Sequence, residues 1–379
     1  MKKVRVAIIG SGSGGHYFPL IAVSRQITAE LNARSLPFEI RYFGDPGTYT
    51  DAISGEGIKI SKIASSKLRR YASALNILDF FKFFIGFGQA MFKLYFYMPE
   101  VLFSKSGPGT LPIIFAARWY RIPVVIHESD SVPGVANSIA SKSAEIVELA
   151  FEHAKQYFPK HKNVKVPGLP IREGVINNKS SAECRRILGL SDERPILFVI
   201  GGSQGAQILN DFVITNIQAL LSQFEVVHQV GRDNFEQYAK EYGFVTKFFP
   251  AGLTARYKPF PFLDEQQLSA SFGACDMVLS RAGSSIFEIA ANGKPAILVP
   301  IASSANNHQF ENAYAYSQAG AGVVIEEQNL LPGLVISQLQ KITDDAKFAT
   351  ALGEGALNFY KPNATVEIAR DVLLVAGVN

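Results

Sequence analysis

Twice in this chain a short apolar run breaks into a glycine-rich loop and then into a helical pattern. No other sequence feature constrains the fold as much. Val4 to Ile9 runs into Gly10-Ser11-Gly12-Ser13-Gly14-Gly15-His16 and a helix over about Phe18 to Asn32. Pro195 to Ile200 runs into Gly201-Gly202-Ser203-Gln204-Gly205-Ala206 and a helix from Gln207 onward. A buried strand turning tightly into a helix start opens a parallel α/β sheet, and glycine there lets backbone approach a ligand closely. Two such openings in 379 residues, more than one ordinary core accommodates, indicate an α/β chain of two Rossmann-like domains facing across a cleft.

The rest of the chain fits that alternation. Strand signals follow at Phe38–Phe43, Val101–Ser104, Ile122–Ile126, Glu145–Leu149 and Val164–Val166 in the first half. In the second half they fall at Phe224–Val230, Lys247–Phe249, Tyr257–Phe262, Asp276–Leu279 and Ala296–Val299, with Leu263-Asp264 opening a helix to Phe272. Pro167-Gly168-Leu169-Pro170-Ile171-Arg172 reads as the linker, placing a boundary between residues 168 and 169. Asn363 to Val375 reads as a capped helix that must dock somewhere.

Composition excludes several classes. Hydrophobic residues make up 47% and charged residues 18%, which is ample for burial and unlike a disordered chain. A net charge of +4 is too mild to argue for nucleic acid. The two cysteines, Cys184 and Cys275, have no metal-spaced histidine nearby, so neither a disulfide framework nor a zinc site is expected, and a reducing, cytoplasmic setting fits. The apolar run after Lys2-Lys3 is too short for a signal core, and no window of 18 apolar residues is free of charge. Lys67 to Phe103 stands out. Leu68-Arg69-Arg70-Tyr71 precedes Phe80, Phe81, Phe83, Phe84 and Phe87, too many aromatics for one core-facing stripe. Two readings stay open for it: an amphipathic segment lying in a membrane surface, or a helix buried between domains.

Three stretches carry candidate chemistry. Gly10, Gly12 and Gly15 match the dinucleotide pattern after a strand, and Asp45 after the second strand leaves NAD open. His16 weighs against it, because an imidazole at the helix start would crowd a pyrophosphate yet could serve an acceptor hydroxyl as a neutral base. A helix-cap histidine is the alternative. His127-Glu128-Ser129-Asp130 clusters titratable groups at the carboxyl end of a strand, where α/β folds collect reactive residues. Ser280 to Ala313 combines a glycine turn at Gly283, a helix bearing Glu288, a strand and a polar amide-rich loop, all suited to a nucleotide.

Five blocks together resemble the MurG family, the UDP-N-acetylglucosamine:undecaprenyl-pyrophosphoryl-muramyl-pentapeptide N-acetylglucosaminyltransferases. They are GSGGHYFP at Gly12–Pro19, IPVVIHESDSVPGVAN at Ile122–Asn137, GLPIR at Gly168–Arg172, GGSQGAQILN at Gly201–Asn210, and the run from Ser280 to Ala313. The resemblance implies the GT-B fold, with residues 1–168 plus 360–379 forming an acceptor, membrane-facing domain and residues 169–359 a UDP-sugar donor domain. On the donor side it implies Arg172 and Ser203 for the diphosphate and neighbouring groups, Gln204 as a further donor contact, Phe262 and Leu263 beside the uracil, Glu288 for the ribose, and His308 and Gln309 for the sugar. On the acceptor side it implies Ser13, Gly14, Gly15, Asp130 and Asn137, with His16 or Glu128 as base. No metal or cofactor is implied, since UDP-GlcNAc is a substrate. The implied partners are UDP-GlcNAc, undecaprenyl-linked lipid I and, through residues 67–103, the cytoplasmic face of the cell membrane, bound peripherally. Four departures mark this chain: Asp130 where asparagine is usual, Leu169 for asparagine, Lys105-Ser106-Gly107-Pro108 for a Gly-Gly-Tyr loop, and one residue fewer before Glu288. A related transferase with another lipid-linked or glycan acceptor, or a UDP-sugar 2-epimerase, would share the donor half.

Overall fold

Short strands rich in Val, Ile, Leu and Phe, buried on both faces, can be satisfied only inside a parallel sheet covered by helices. Two such sheets form. The structure, a computed structural model, describes residues 3–65, 75–107, 109–190, 194–302 and 307–378. The basic run Leu68 to Tyr71, Pro108 and the start of the polar loop at Ser303 to Asn306 lie outside the described residues. The chain divides into two units, Met1–Arg172 with Pro362–Asn379, and Glu173–Lys361.

In the first unit the described strands are β1 (Val4–Ile9), β2 (Phe38–Phe43), β3 (Lys59–Ser61), β4 (Val101–Ser104), β5 (Val124–Glu128), β6 (Ile146–Leu149) and β7 (Val164–Lys165). They form one sheet in the order β3-β2-β1-β4-β5-β6-β7, every pair parallel. The order reverses between β1, paired with β2 from Val4↔Phe38, and β4, paired from Val6↔Val101. The core joins Val6, Ile8, Leu20, Ile27, Tyr42 and Phe103 to Ile368, Val372 and Leu373 of the last helix, Ala364–Val375. Each of those aliphatic side chains contributes about 1.5–3 kcal/mol on burial, which docks the chain's end on the first sheet. Asn363 begins that helix without a side-chain cap bond.

In the second unit β8 (Ile196–Ile200), β9 (Glu225–Gln229), β10 (Tyr257–Phe260), β11 (Met277–Ser280), β12 (Ala296–Leu298) and β13 (Gly322–Val324) form a parallel sheet in the order β10-β9-β8-β11-β12-β13. Its order reverses between β8 and β11. Leu197, Val199, Leu209, Val213, Leu220 and Met277 sit at its centre.

Several expectations change. Lys247 to Phe249 is not a strand: the Phe235–Val245 helix ends and a turn follows, leaving Phe248 88% exposed with the Lys247 ammonium over its ring. The first helix begins at Gly14 and runs to Ala33, taking two loop glycines into its first turn. The first unit continues to Arg172, past the expected break after Gly168, because Ile171 is held to Thr365 of the last helix through its N–H (3.2 Å) and C=O (3.3 Å).

The aromatic segment forms a helix over Leu75–Tyr97. One side is buried through Ala90, Leu94 and Tyr97, and Gly86 lies so near the chain that a Cβ there would meet the Ala64 carbonyl at 2.5 Å. Its other side is open: Phe80, Phe81, Phe84, Phe92 and Phe96 are each more than half exposed, as is Trp119 on the Leu111–Trp119 helix packed beside it. The reading of that helix as buried is therefore wrong. No helix among the described residues is long and apolar enough to cross a membrane.

Candidate functional site

In each unit the residues of interest gather at the carboxyl ends of the strands flanking the order reversal, where open α/β sheets place ligands.

In the first unit the glycine loop after β1 is tied to the loop after β4. Ser11 N–H donates to the Ser106 carbonyl (3.1 Å), Gly109 N–H donates to Ser11 Oγ (2.9 Å), and the Tyr42 hydroxyl donates to the Gly10 carbonyl (2.5 Å). Ser13 is the extended residue before the helix, and Gly14 and Gly15 are its first two residues. His16 is half-buried, and its Nδ1 lies 2.8 Å from the Lys105 carbonyl. A carbonyl only accepts, so Nδ1 carries the proton and the neutral ring keeps its lone pair on Nε2. That is the tautomer a base requires.

Beneath this loop the expected His127–Asp130 cluster is joined by Lys105, a partner that the sequence reading did not foresee. Lys105 is fully buried, its ammonium 2.6 Å from His127 Nδ1 and also hydrogen-bonded to Ser129 Oγ. His127 Nε2 donates to the Gly168 carbonyl (2.8 Å), so Nδ1 is the acceptor for Lys105. Burial pulls the Lys105 pKa down, opposed by Glu128 and Asp130, and burial together with Lys105 holds His127 neutral.

Glu128 is placed differently from a reactive base. Its Oε1 accepts the N–H groups of Ser129 (2.8 Å) and Asp130 (3.0 Å); its Oε2 accepts Gly134 N–H (3.1 Å) and Asn137 Nδ2 (3.0 Å). Burial raises its pKa, Asp130 adds to that, and the donors oppose. Four donors make it the organiser of the loop after β5. Asn137 is likewise fully buried, its amide hydrogens spent on Glu128 and the His127 carbonyl (3.1 Å).

Arg172 also differs from expectation. It closes the first unit, with its guanidinium 3.9 Å from the centroid of Phe18, a residue of the Gly14–Ala33 helix. It therefore belongs to the first unit, four residues past the expected boundary.

In the second unit the Gly201–Ala206 loop opens the Gln207–Thr215 helix, with Gly202 and Gly205 at φ +83° and +76°. Ser203 is half-buried and Gln204 exposed in that loop. Asp264 caps the Glu265–Ala274 helix by a capping box with Gln267, which fixes the preceding Phe262 and Leu263. Glu288 sits in the Ser285–Ala291 helix after the Gly283 turn. His308 and Gln309 begin the His308–Gln318 helix; Gln309 Oε1 accepts Ile301 N–H (3.1 Å), and Asn312 Nδ2 donates to the Ala282 carbonyl (3.1 Å). The glycine turn, the loop after β12 and the His308–Gln318 helix therefore form one cluster. Arg281, 8% exposed, holds it from below by donating to the Val299 carbonyl (3.0 Å) and to Glu327 (2.6 Å).

Lys105 and Arg281 share a signal that sequence reading could have used. Each follows a serine at the end of the strand across the order reversal and precedes a glycine by two positions: Ser104-Lys105-Ser106-Gly107 and Ser280-Arg281-Ala282-Gly283. No cluster of His, Cys, Asp and Glu suited to a metal occurs among the described residues.

Comparison with known proteins agrees with this geometry. Residues 6–148 match the glycosyltransferase family 28 N-terminal domain and residues 196–365 the corresponding C-terminal domain. The UDP-N-acetylglucosamine--N-acetylmuramyl-(pentapeptide) pyrophosphoryl-undecaprenol N-acetylglucosamine transferase of Clostridium kluyveri is 33% identical over 347 residues, 90% of this chain and 91% of that protein. The chain belongs to this transferase family. The family's GT-B fold accounts for the two parallel-sheet units. Acinetobacter baumannii MurG superposes with a TM-score of 0.70 at 23% identity, covering 98% of this chain and 99% of that one. Staphylococcus aureus MnaA, solved with UDP, also reaches 0.70 at 13% identity, covering 100% and 98%. Fold similarity alone therefore does not separate these proteins, whereas sequence identity across nine-tenths of the chain does.

Proposed function

We propose that this chain transfers N-acetylglucosamine from UDP-N-acetylglucosamine to the 4-hydroxyl of the muramyl sugar of undecaprenyl-linked lipid I, with inversion, yielding lipid II for peptidoglycan. The observation that carries the reading is His16, held by the Lys105 carbonyl in the tautomer that leaves Nε2 basic, at the amino end of the Gly14–Ala33 helix. The attacking hydroxyl must lose a proton as its oxygen bonds to the anomeric carbon and the bond to UDP breaks. A positioned base contributes about 10²- to 10⁴-fold to such a step. His16 takes that role, and Glu128 shapes the loop that carries Asp130 against the acceptor. Ser13, Gly14 and Gly15 present hydroxyl and N–H groups to the acceptor's diphosphate.

The second unit takes the donor. Ser203, Gln204 and the N–H groups opening the Gln207–Thr215 helix meet charge developing on the leaving UDP, with no metal or cofactor in the scheme. Phe262 and Leu263 receive the uracil, Glu288 the ribose hydroxyls, and His308 with Gln309 the sugar. The exposed aromatic side of the Leu75–Tyr97 helix, with Trp119, rests on the cytoplasmic surface of the membrane that holds the acceptor.

Incubation with UDP-GlcNAc and a lipid I analogue should give the disaccharide product, and His16→Ala should slow turnover by about 10²- to 10⁴-fold. Hydrolysis without transfer would overturn the function. Near-full turnover of His16→Ala at saturating acceptor would overturn the role of the base.

A further inference from the structure

The carboxyl end of β9 does work that the donor scheme above leaves unassigned. Gln229, 3% exposed, spans two loops: Nε2 donates to the Gly202 carbonyl at 2.8 Å, and Oε1 accepts Leu263 N–H at 2.9 Å. One partner only accepts and the other only donates, so the amide has a single orientation. The next residues repeat the bridge. Val230 N–H donates to the Phe260 carbonyl (2.9 Å), while the Val230 carbonyl accepts Asn210 Nδ2 (3.0 Å) from the Gln207–Thr215 helix. Gly205 packs so closely that a Cβ would meet the Val230 carbonyl at 1.9 Å, and one on Gly231 would meet the Gln204 carbonyl at 2.1 Å. On the other side the Arg232 guanidinium stands 4.5 Å from the Phe262 ring centroid. The Ser203–Gln204 loop and the Phe262–Leu263 loop are thus fastened to one strand end, and the Gln229 side chain bonds to the backbone of both.

We infer that Gln229 is a positioning residue that sets the separation between the diphosphate loop and the uracil loop, so that the site recognises a nucleoside diphosphate by the distance from base to phosphate. This rests on the donor assignment proposed above. A ligand engaging both loops gains from their fixed spacing, because neither loop must be reordered on binding. A ligand engaging one loop gains nothing from it. Shape and burial are kept in Gln229→Met, which removes both hydrogen bonds. Gln229→Glu keeps the Leu263 contact but sets a carboxylate oxygen against the Gly202 carbonyl, forcing the loops apart.

The test uses the full chain and three competitors of donor turnover: UDP, uridine and pyrophosphate. In Gln229→Met the inhibition constant for UDP and the KM for UDP-GlcNAc should rise about tenfold, with kcat within about threefold, because the lost interaction serves ground state and transition state alike. Constants for uridine and pyrophosphate should move by less than about threefold. Gln229→Glu should lose at least as much UDP affinity as Gln229→Met. Equal losses for UDP and both fragments would mean a merely structural residue and overturn the inference, as would unchanged UDP affinity in both variants. If the unaltered protein fails to bind UDP, the donor assignment itself falls, and calorimetric titration of UDP into that protein distinguishes the two failures.

Discussion

Replacing Glu148 by glutamine should raise the melting temperature of this protein at neutral pH and leave it nearly unchanged at pH 5. Glu148 lies on β6, fully buried, in register between His127 of β5 and Lys165 of β7. Neither of its carboxyl oxygens receives an N–H or O–H donor. It faces Asp371 of the last helix, whose two oxygens already take the Lys165 ammonium at 2.6 and 2.8 Å; Glu367 adds a further negative charge, and His127 is neutral. Two carboxylates cannot both ionise in such a place, so Glu148 holds a proton and donates it to Asp371. Burial first, then the bond to Asp371 and its charge, raise the Glu148 pKa from 4.5 to about 9, with Lys165 opposing.

The sign follows from linkage. A folded-state pKa above the unfolded value means that the folded chain binds the extra proton between pH 4.5 and 9, so stability is fully present below 4.5 and falls as pH rises towards 9. At pH 7 the folded chain keeps a proton that the unfolded chain has shed two and a half units earlier, a cost of about 3 kcal/mol at roughly 1.36 kcal/mol per unit. Glutamine donates to Asp371 without holding a titratable proton and recovers that amount. At about 2–4 °C per kcal/mol for a unit of this size, Glu148→Gln should melt roughly 6–12 °C higher at pH 7, more at pH 8.5 and little higher at pH 5. Scanning calorimetry at the three pH values reads it. A difference between variant and parent that stays constant across them would refute the shared proton.

The two loop glycines should separate. Gly202 and Gly205 both have positive φ, so alanine strains either by about 1–2 kcal/mol, but only at Gly205 does the new Cβ meet a backbone carbonyl. Gly205→Ala should lose UDP binding in calorimetric titration while Gly202→Ala keeps most of it; equal losses would count against the packing of this loop on β9. Phe81→Glu, Phe84→Glu and Phe92→Glu together should release the protein from anionic liposomes in sedimentation, each lost aromatic being worth about 1.5–3 kcal/mol, with turnover of a water-soluble acceptor retained. Undiminished sedimentation would remove that face as the membrane surface.

What the sequence by itself determined was the architecture. Runs such as Val6–Ile9 and Ile196–Ile200 are apolar on both faces, and glycines directly after them allow the left-handed and closely packed backbone that starts a helix above a parallel sheet; these are local properties, readable residue by residue. The five blocks likewise placed the chain in its family. Tertiary structure decided which polar groups face inward. Glu128 reads as a candidate base because it ends a strand, and Asn137 as an acceptor contact through the family resemblance, yet Asn137 is fully buried and Glu128 takes three backbone N–H donors and the Asn137 amide. Lys105 and Gln229 look like ordinary loop and strand residues, since their partners His127, Ser129, Gly202 and Leu263 lie about 20 to 35 positions away in sequence. Arg172 falls in the apparent linker, yet the backbone bonds from Ile171 to Thr365, nearly two hundred positions along, carry it into the first unit. Pattern reveals where a strand ends, but the hydrogen-bond partner of a side chain there is set by strands brought together only when the sheet closes.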